Sequence, residues 1–179
     1  MQTINFKQSS VFTLAAVTLA LILNACAPPQ EAETNVKAIA VASGPFFSGP
    51  NSLIAEQTVD FEQLIVGQNL SAQQLESVKL EEVSVSLRAI DSIDFSYFDD
   101  ASLSIVGNDI EMMSIATLNP IDSKGQNILL QASEEAELVD YFKAGNYSLV
   151  LDMGLNQDLF LNDLGATIDI KLNVLYKKQ

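Results

Sequence analysis

Histidine and tryptophan are both absent from this 179-residue sequence, and cysteine occurs only once. Without imidazole, the commonest general base and the commonest zinc ligand are missing, which argues against Ser-His-Asp or Cys-His catalysis and against ordinary zinc sites. A lone cysteine cannot form a disulfide within the chain, so a hydrophobic core must provide the stability. The composition therefore predicts a protein that is not an enzyme and that has no cofactor.

Positive charge is also scarce, with 9 Lys and Arg residues against 23 Asp and Glu residues and a formal net charge of -14. A protein that grips phosphates needs a clustered basic surface, so no nucleic-acid partner is expected. The hydrophobic fraction of 48% is typical of a globular chain, and the length suits one domain.

The first residues carry the pattern of an export signal. Lys7 is the only charge near the amino terminus, and residues 11–23 form an apolar run interrupted only by Thr13 and Thr18. A helix needs about 20 apolar residues to cross the hydrocarbon core. This run is shorter, so we expect residues 1–25 to be a cleaved signal peptide rather than a membrane span.

The run ends in Leu23-Asn24-Ala25-Cys26, an aliphatic residue three positions before the cysteine and a small residue directly before it. This segment resembles the lipobox of bacterial lipoproteins. The resemblance implies a diacylglycerol on the Cys26 thiol, cleavage before Cys26, and acylation of the new amino terminus by a palmitate-type chain. It also implies attachment to the cell envelope, and Ala27 in place of an aspartate favours the outer membrane in a Gram-negative host. The alternative is a soluble exported protein with a stray thiol.

Residues 26–37 are predicted to be the lipidated cysteine and a flexible tether, because Pro28 and Pro29 are followed by polar residues without an apolar period. The domain proper is then expected over residues 38–179. No family resemblance was found for that part of the chain.

The dominant period of the domain is two, which is typical of half-buried strands. Near the carboxyl end, Ile168, Ile170, Leu172 and Val174 alternate with polar residues. Opposite parity on either side of residues 81–82 predicts a bulge there. A hairpin turn is expected at residues 107–109.

Helical patterns are few. One short helix is predicted over residues 134–143, with Ser133 as its N-cap and Gly145 just beyond it. A capping box that begins at Ser71 predicts a single turn. About eight strands with frequent turns predict an all-β fold, specifically a two-layer antiparallel β-sandwich of immunoglobulin-like type. A small barrel is the alternative.

Two groups of oxygen-bearing side chains are candidate metal sites. The four candidate calcium ligands of the first group are Asp91, Asp94, Asp99 and Asp100, and the second group comprises Asp158, Asn162 and Asp163. Calcium needs six to eight oxygen ligands, and the spacing of an EF-hand is missing. Solvated surface charge is the other interpretation.

Apolar residues in two turn-rich segments are candidate partner contacts. Leu159, Phe160 and Leu161 lie in a long connection between two predicted strands, and Phe46 and Phe47 lie between turn residues. Long loops are often functional. These side chains could alternatively plug the end of the domain.

Taken together, the sequence predicts a lipid-anchored cell-envelope protein whose non-catalytic β-sandwich binds a protein partner or forms a structural part of an assembly. The rival is a calcium-dependent carbohydrate binder or a glycoside hydrolase that uses the acidic loops, since a pair of carboxylates can run glycoside hydrolysis.

Overall fold

The computed structural model of the chain describes residues 28–88 and 93–178. Eight strands dominate this part, which confirms the predicted all-β class. The strands are β1 (Gln30–Ser43), β2 (Gly49–Thr58), β3 (Leu75–Leu87), β4 (Phe98–Gly107), β5 (Ile110–Leu118), β6 (Asn127–Ala132), β7 (Asn146–Leu155) and β8 (Asp163–Tyr176). The short helices are α1 (Phe61–Leu64) and α2 (Val139–Ala144), and 3₁₀ turns lie at Ala72–Gln74 and Phe95–Tyr97.

The strands form one closed sheet in the order β1-β2-β7-β4-β5-β6-β3-β8, and every pairing is antiparallel. The first strand pairs with the last, the second with the seventh, the third with the sixth and the fourth with the fifth. The chain thus follows the path of one long hairpin wrapped around a core. That connectivity is an eight-stranded jelly roll.

Pairing around the barrel is uneven. Two four-stranded sheets, β1-β8-β3-β6 and β2-β7-β4-β5, meet at two seams. At the first seam, β1 and β2 pair only at Val41↔Ile54, and at the second, β5 and β6 pair at two positions. The prediction of an immunoglobulin-like sandwich is therefore corrected to a closed barrel with this jelly-roll connectivity. Alternation shows which face of a strand is buried, but it does not show which strand lies beside it.

Strand β1 starts earlier than expected. It pairs with β8 from Gln30↔Tyr176 onward, so residues 30–37 are sheet and the prediction of a flexible tether is wrong there. Thr34 and Val36 are half-buried and alternate with exposed polar neighbours. The inward side chains are small or polar, so the period of two was weak in the sequence, and pairing with β8 supplies the order.

Helix α2 is shorter than predicted and begins at Val139 instead of residue 134. The preceding residues are held against β3 by two contacts. The backbone of Glu137 forms an isolated antiparallel β-bridge with Lys79, and the Glu137 carboxylate accepts the Val78 N–H at 2.6 Å. Gly145 ends the helix in the left-handed conformation (φ 82°), as expected. The predicted bulge near residues 81–82, the hairpin at 107–109 and the turn after Ser71 are confirmed.

Antiparallel strands of similar length gather their connections at two ends of the barrel. The loop end carries residues 44–48, 88, 93–97, 119–126 and 156–162. The terminus end carries the start of β1, the end of β8 and the segments 59–74, 108–109 and 133–145. Inward side chains from all eight strands fill the space between the two ends.

Candidate functional site

The loop end is closed by a bridge between two loops. Phe46 donates its N–H to the Leu159 carbonyl at 3.0 Å, and Leu159 donates its own N–H back to Phe46 at 2.8 Å. Both side chains are buried in the core. Leu159, one of the predicted partner contacts, therefore plugs the barrel and is inaccessible to a partner.

The next residue in each of these loops faces solvent. Phe47 is 58% exposed and Phe160 is 81% exposed, because neighbouring residues in a bridge point to opposite sides. Leu161 is half-buried and packs against the core. Of the three predicted contacts, Phe160 is the one freely available to a partner, and Phe47 adds a second exposed ring on the bridged loop.

The loops of this end are also tied by polar contacts. Asp158, from the second oxygen-rich group, accepts the Ser48 N–H at 2.8 Å, and the carbonyl of Asn162 accepts the Gly44 N–H at 2.9 Å. Asn156 donates its side-chain N–H to Ser96 at 2.8 Å. These contacts give Asp158 and Asn162 a role in holding the loops together.

The first acidic group is dispersed. Asp94 accepts the Ser96 N–H at 2.9 Å, and hydrogen bonds from the Ser96 hydroxyl and N–H lower the pKa of Asp94 below its ordinary value. Asp99 is an exposed residue at a register shift between β4 and β7, while Asp100 leans over Gly154. Asp91 lies outside the described residues.

The three described carboxylates of that group are directed apart by a cap at Asp94, a register shift at Asp99 and the strand face of Asp100. Within residues 28–88 and 93–178, no three Asp, Glu, Cys or His side chains come together in a group that could hold a metal ion.

The seam between β1 and β2 is a feature that sequence reasoning missed. Below the Val41↔Ile54 pair the two strands diverge toward the terminus end, and a cleft of about 340 Å³ opens between residues 34–37 and 57–60. Phe142 and Tyr147 line the cleft. Burial raises the pKa of the Tyr147 phenol to about 12.

Three large aliphatic side chains are exposed on the outside of the same seam. Ile39, Val41 and Ile54 form this seam patch, and each is between 48% and 56% exposed. Ala38 and Ala40 point inward instead. The sequence feature that could have revealed this patch is the Ala-Ile-Ala-Val-Ala run of residues 38–42. Both faces of the strand are apolar there, and the larger residues are the ones that face outward.

Cys26, the predicted lipidation site, and residues 1–25, the predicted signal peptide, lie outside the described residues. No helix in the described part of the chain is long and apolar enough to span a bilayer.

No family model and no curated protein matches the chain. Viral structures are among its structural neighbours. The structure of Desmodium yellow mottle tymovirus aligns with a TM-score of 0.33 at 11% identity over 86% of this chain and 91% of that one. The acid-stable capsid of Helicobacter pylori bacteriophage KHP30 gives 0.30 at 13% over 84% and 100%, and tomato aspermy virus gives 0.26 at 15% over 89% and 94%. Similarity this low assigns no function.

Proposed function

We propose that this chain is a lipid-anchored protein of the bacterial cell envelope whose jelly-roll barrel is a non-catalytic binding or structural module. The lipobox-like segment at Cys26 is the basis for the anchor. The observation that carries the proposal is the position of Gln30, the first residue of β1, only four positions after Cys26. A lipid on Cys26 would hold the terminus end of the barrel next to the membrane.

This arrangement gives the two ends of the barrel different tasks. Strand β1 has 14 residues, and at about 3.3 Å per residue its length is about 46 Å. With a strand tilt of about 40°, the loop end would stand roughly 35 Å from the anchored end. The exposed rings of Phe47 and Phe160 would then face away from the membrane, where a protein partner can reach them.

Aromatic rings are enriched among the residues that dominate protein interfaces. We therefore assign the partner contact to the loop end around Phe160. In a Gram-negative host, Ala27 favours the outer membrane as the site of the anchor.

The anchor is tested by Cys26→Ser in cells fed a labelled fatty acid. We expect the label to disappear and the chain to keep its signal peptide, because the acceptor thiol is gone. The variant Ala25→Gly keeps a small residue before the cysteine and serves as the labelled control. Undiminished labelling of Cys26→Ser would refute the anchor.

The partner contact is tested by cross-linking in intact cells with Phe160→Ser. We expect the specific cross-linked species to be lost. Val66→Ser is the matched control, because Val66 is 94% exposed but lies at the terminus end, in the connection between β2 and β3. Equal loss with both variants, or with neither, would count against a contact at the loop end.

A further inference from the structure

The two strands that border the β1–β2 seam have backbone edges without a described partner over several residues. β1 pairs with β8 along all of its length, and β2 pairs with β7 along all of its length, yet they pair with each other only at Val41↔Ile54. Unpaired strand edges present rows of N–H and C=O groups that can template another strand.

The other seam of the same barrel shows how such a gap is filled. Beyond the short strand β6, the segment 133–145 runs along the opening between β3 and β5. Ser133 donates its N–H to Ile115 at 2.8 Å, and Leu138 donates its N–H to Val78 at 2.8 Å. The filler at the start of this segment is a turn followed by a single antiparallel bridge residue, Glu137, and it uses backbone hydrogen bonds to both flanking strands.

The open seam has the dimensions for a filler of the same kind. The facing segments 34–37 and 57–60 are four residues long, about 13 Å at about 3.3 Å per residue. Half-buried Val36 and buried Tyr147 supply an apolar surface for inward side chains. Outside, the seam patch of Ile39, Val41 and Ile54 continues the apolar surface beyond the cleft.

We infer that the β1–β2 seam is a strand-addition site that receives an extended peptide of about four to six residues from a partner protein. The backbone edges provide hydrogen bonds, and alternate side chains of the peptide face Val36 and Tyr147. Flanking parts of the partner cover the seam patch. The site lies on the side of the barrel and toward the terminus end, apart from Phe160, and does not depend on the lipid anchor.

The test uses the full chain in detergent and a capped hexapeptide of alternating valine and threonine, residues that favour the extended form. Backbone amide hydrogen exchange is measured with and without the peptide. We expect exchange to slow at least about tenfold within residues 31–40 and 55–58, and to stay unchanged in β4 and β5. The same peptide with methylated amide nitrogens should give no protection, because it cannot donate to the carbonyls of the seam and its methyl groups prevent close strand pairing.

Two variants of the seam patch and one control decide whether the patch belongs to the site. Their test uses a longer peptide in which apolar residues flank the same hexapeptide. Ile54→Lys or Ile39→Lys should weaken binding about tenfold. Leu129→Lys, equally exposed (57%) on β6, should change binding less than about twofold. The site is refuted if residues 31–40 are equally protected without peptide, if the peptide protects no amides there, or if Leu129→Lys weakens binding as much as Ile54→Lys.

Discussion

The two seams of the barrel differ in how the chain completes them. At the β5–β6 seam, residues 133–145 lie along the gap, and Tyr141 donates its hydroxyl to the Glu111 carbonyl at 2.5 Å. At the β1–β2 seam, Gln63 and Leu64 of the connection after β2 line one side of a cleft that reaches the ring of Tyr147, but no described backbone hydrogen bond joins that connection to β1. Short pairing between the two sheets is thus common to both seams, while a described segment that bonds to both flanking strands is seen at one.

The largest contrast is expected from truncating one apolar side chain at each seam. Leu138 at the covered seam is fully buried, so Leu138→Ala should lower the free energy of unfolding by about 2–5 kcal/mol. Val36 at the open seam is only half-buried, and Val36→Ala should lower it by about 1 kcal/mol or less. Urea denaturation of both variants measures the difference. Equal losses would mean that the two seams are equally packed.

A pH titration probes the floor of the open seam. Because burial raises the pKa of Tyr147 to about 12, the folded chain keeps the phenol neutral while the unfolded chain ionises near the ordinary value of 10. The contribution of the buried neutral phenol to the free energy of unfolding is complete below about pH 10, and it is lost as the pH rises from about 10 to about 12. Relative to Tyr147→Phe, the native chain should lose about 2–3 kcal/mol across that range.

Parallel curves for the native chain and Tyr147→Phe in urea unfolding at pH 9–12 would show that water reaches the ring through the cleft. A difference that grows with pH would show that the folded chain shields the Tyr147 phenol from water.

A smaller change in stability is expected at the covered seam when the glycine that ends helix α2 is substituted. Gly145 has a φ of 82°, and its carbonyl accepts the Val59 N–H at 2.8 Å, which ties segment 133–145 to the connection after β2. A Cβ at Gly145 would contact no neighbouring atom, so the only expected effect of Gly145→Ala is backbone strain. That strain should lower the free energy of unfolding by about 1 kcal/mol. Gly125→Ala, in an open loop without this conformation, is the control for thermal melting. Similar melting temperatures would contradict the strain argument.

Strand faces and turns were readable from the sequence. The alternation in β8, the turn at residues 107–109 and the glycine after α2 each depend on neighbours along the chain, and each is confirmed. These features follow from side-chain period and backbone conformation alone.

What could not be read depends on contacts between distant residues. The pairing of β1 with β8 makes residues 30–37 a strand, although their own side chains favour a loop. The contact of Glu137 with β3 shortens α2 at its start. In the same way, the carboxylates of Asp94, Asp99 and Asp100 are close in sequence but separated by a cap and a bulge. Their proximity in the chain carried no information about a shared site.

The smallest expected effect concerns the seam patch. Ile54 lies beside two buried residues of β2 but points outward, so Ile54→Thr keeps a β-branched residue on the strand and removes little buried surface. The free energy of unfolding should change by less than about 0.5 kcal/mol, as for other surface substitutions, and Leu129→Thr should behave alike. If urea denaturation instead shows a loss above about 1 kcal/mol for Ile54→Thr alone, this side chain stabilises the barrel itself. A change near zero would mean that folding does not require an isoleucine there.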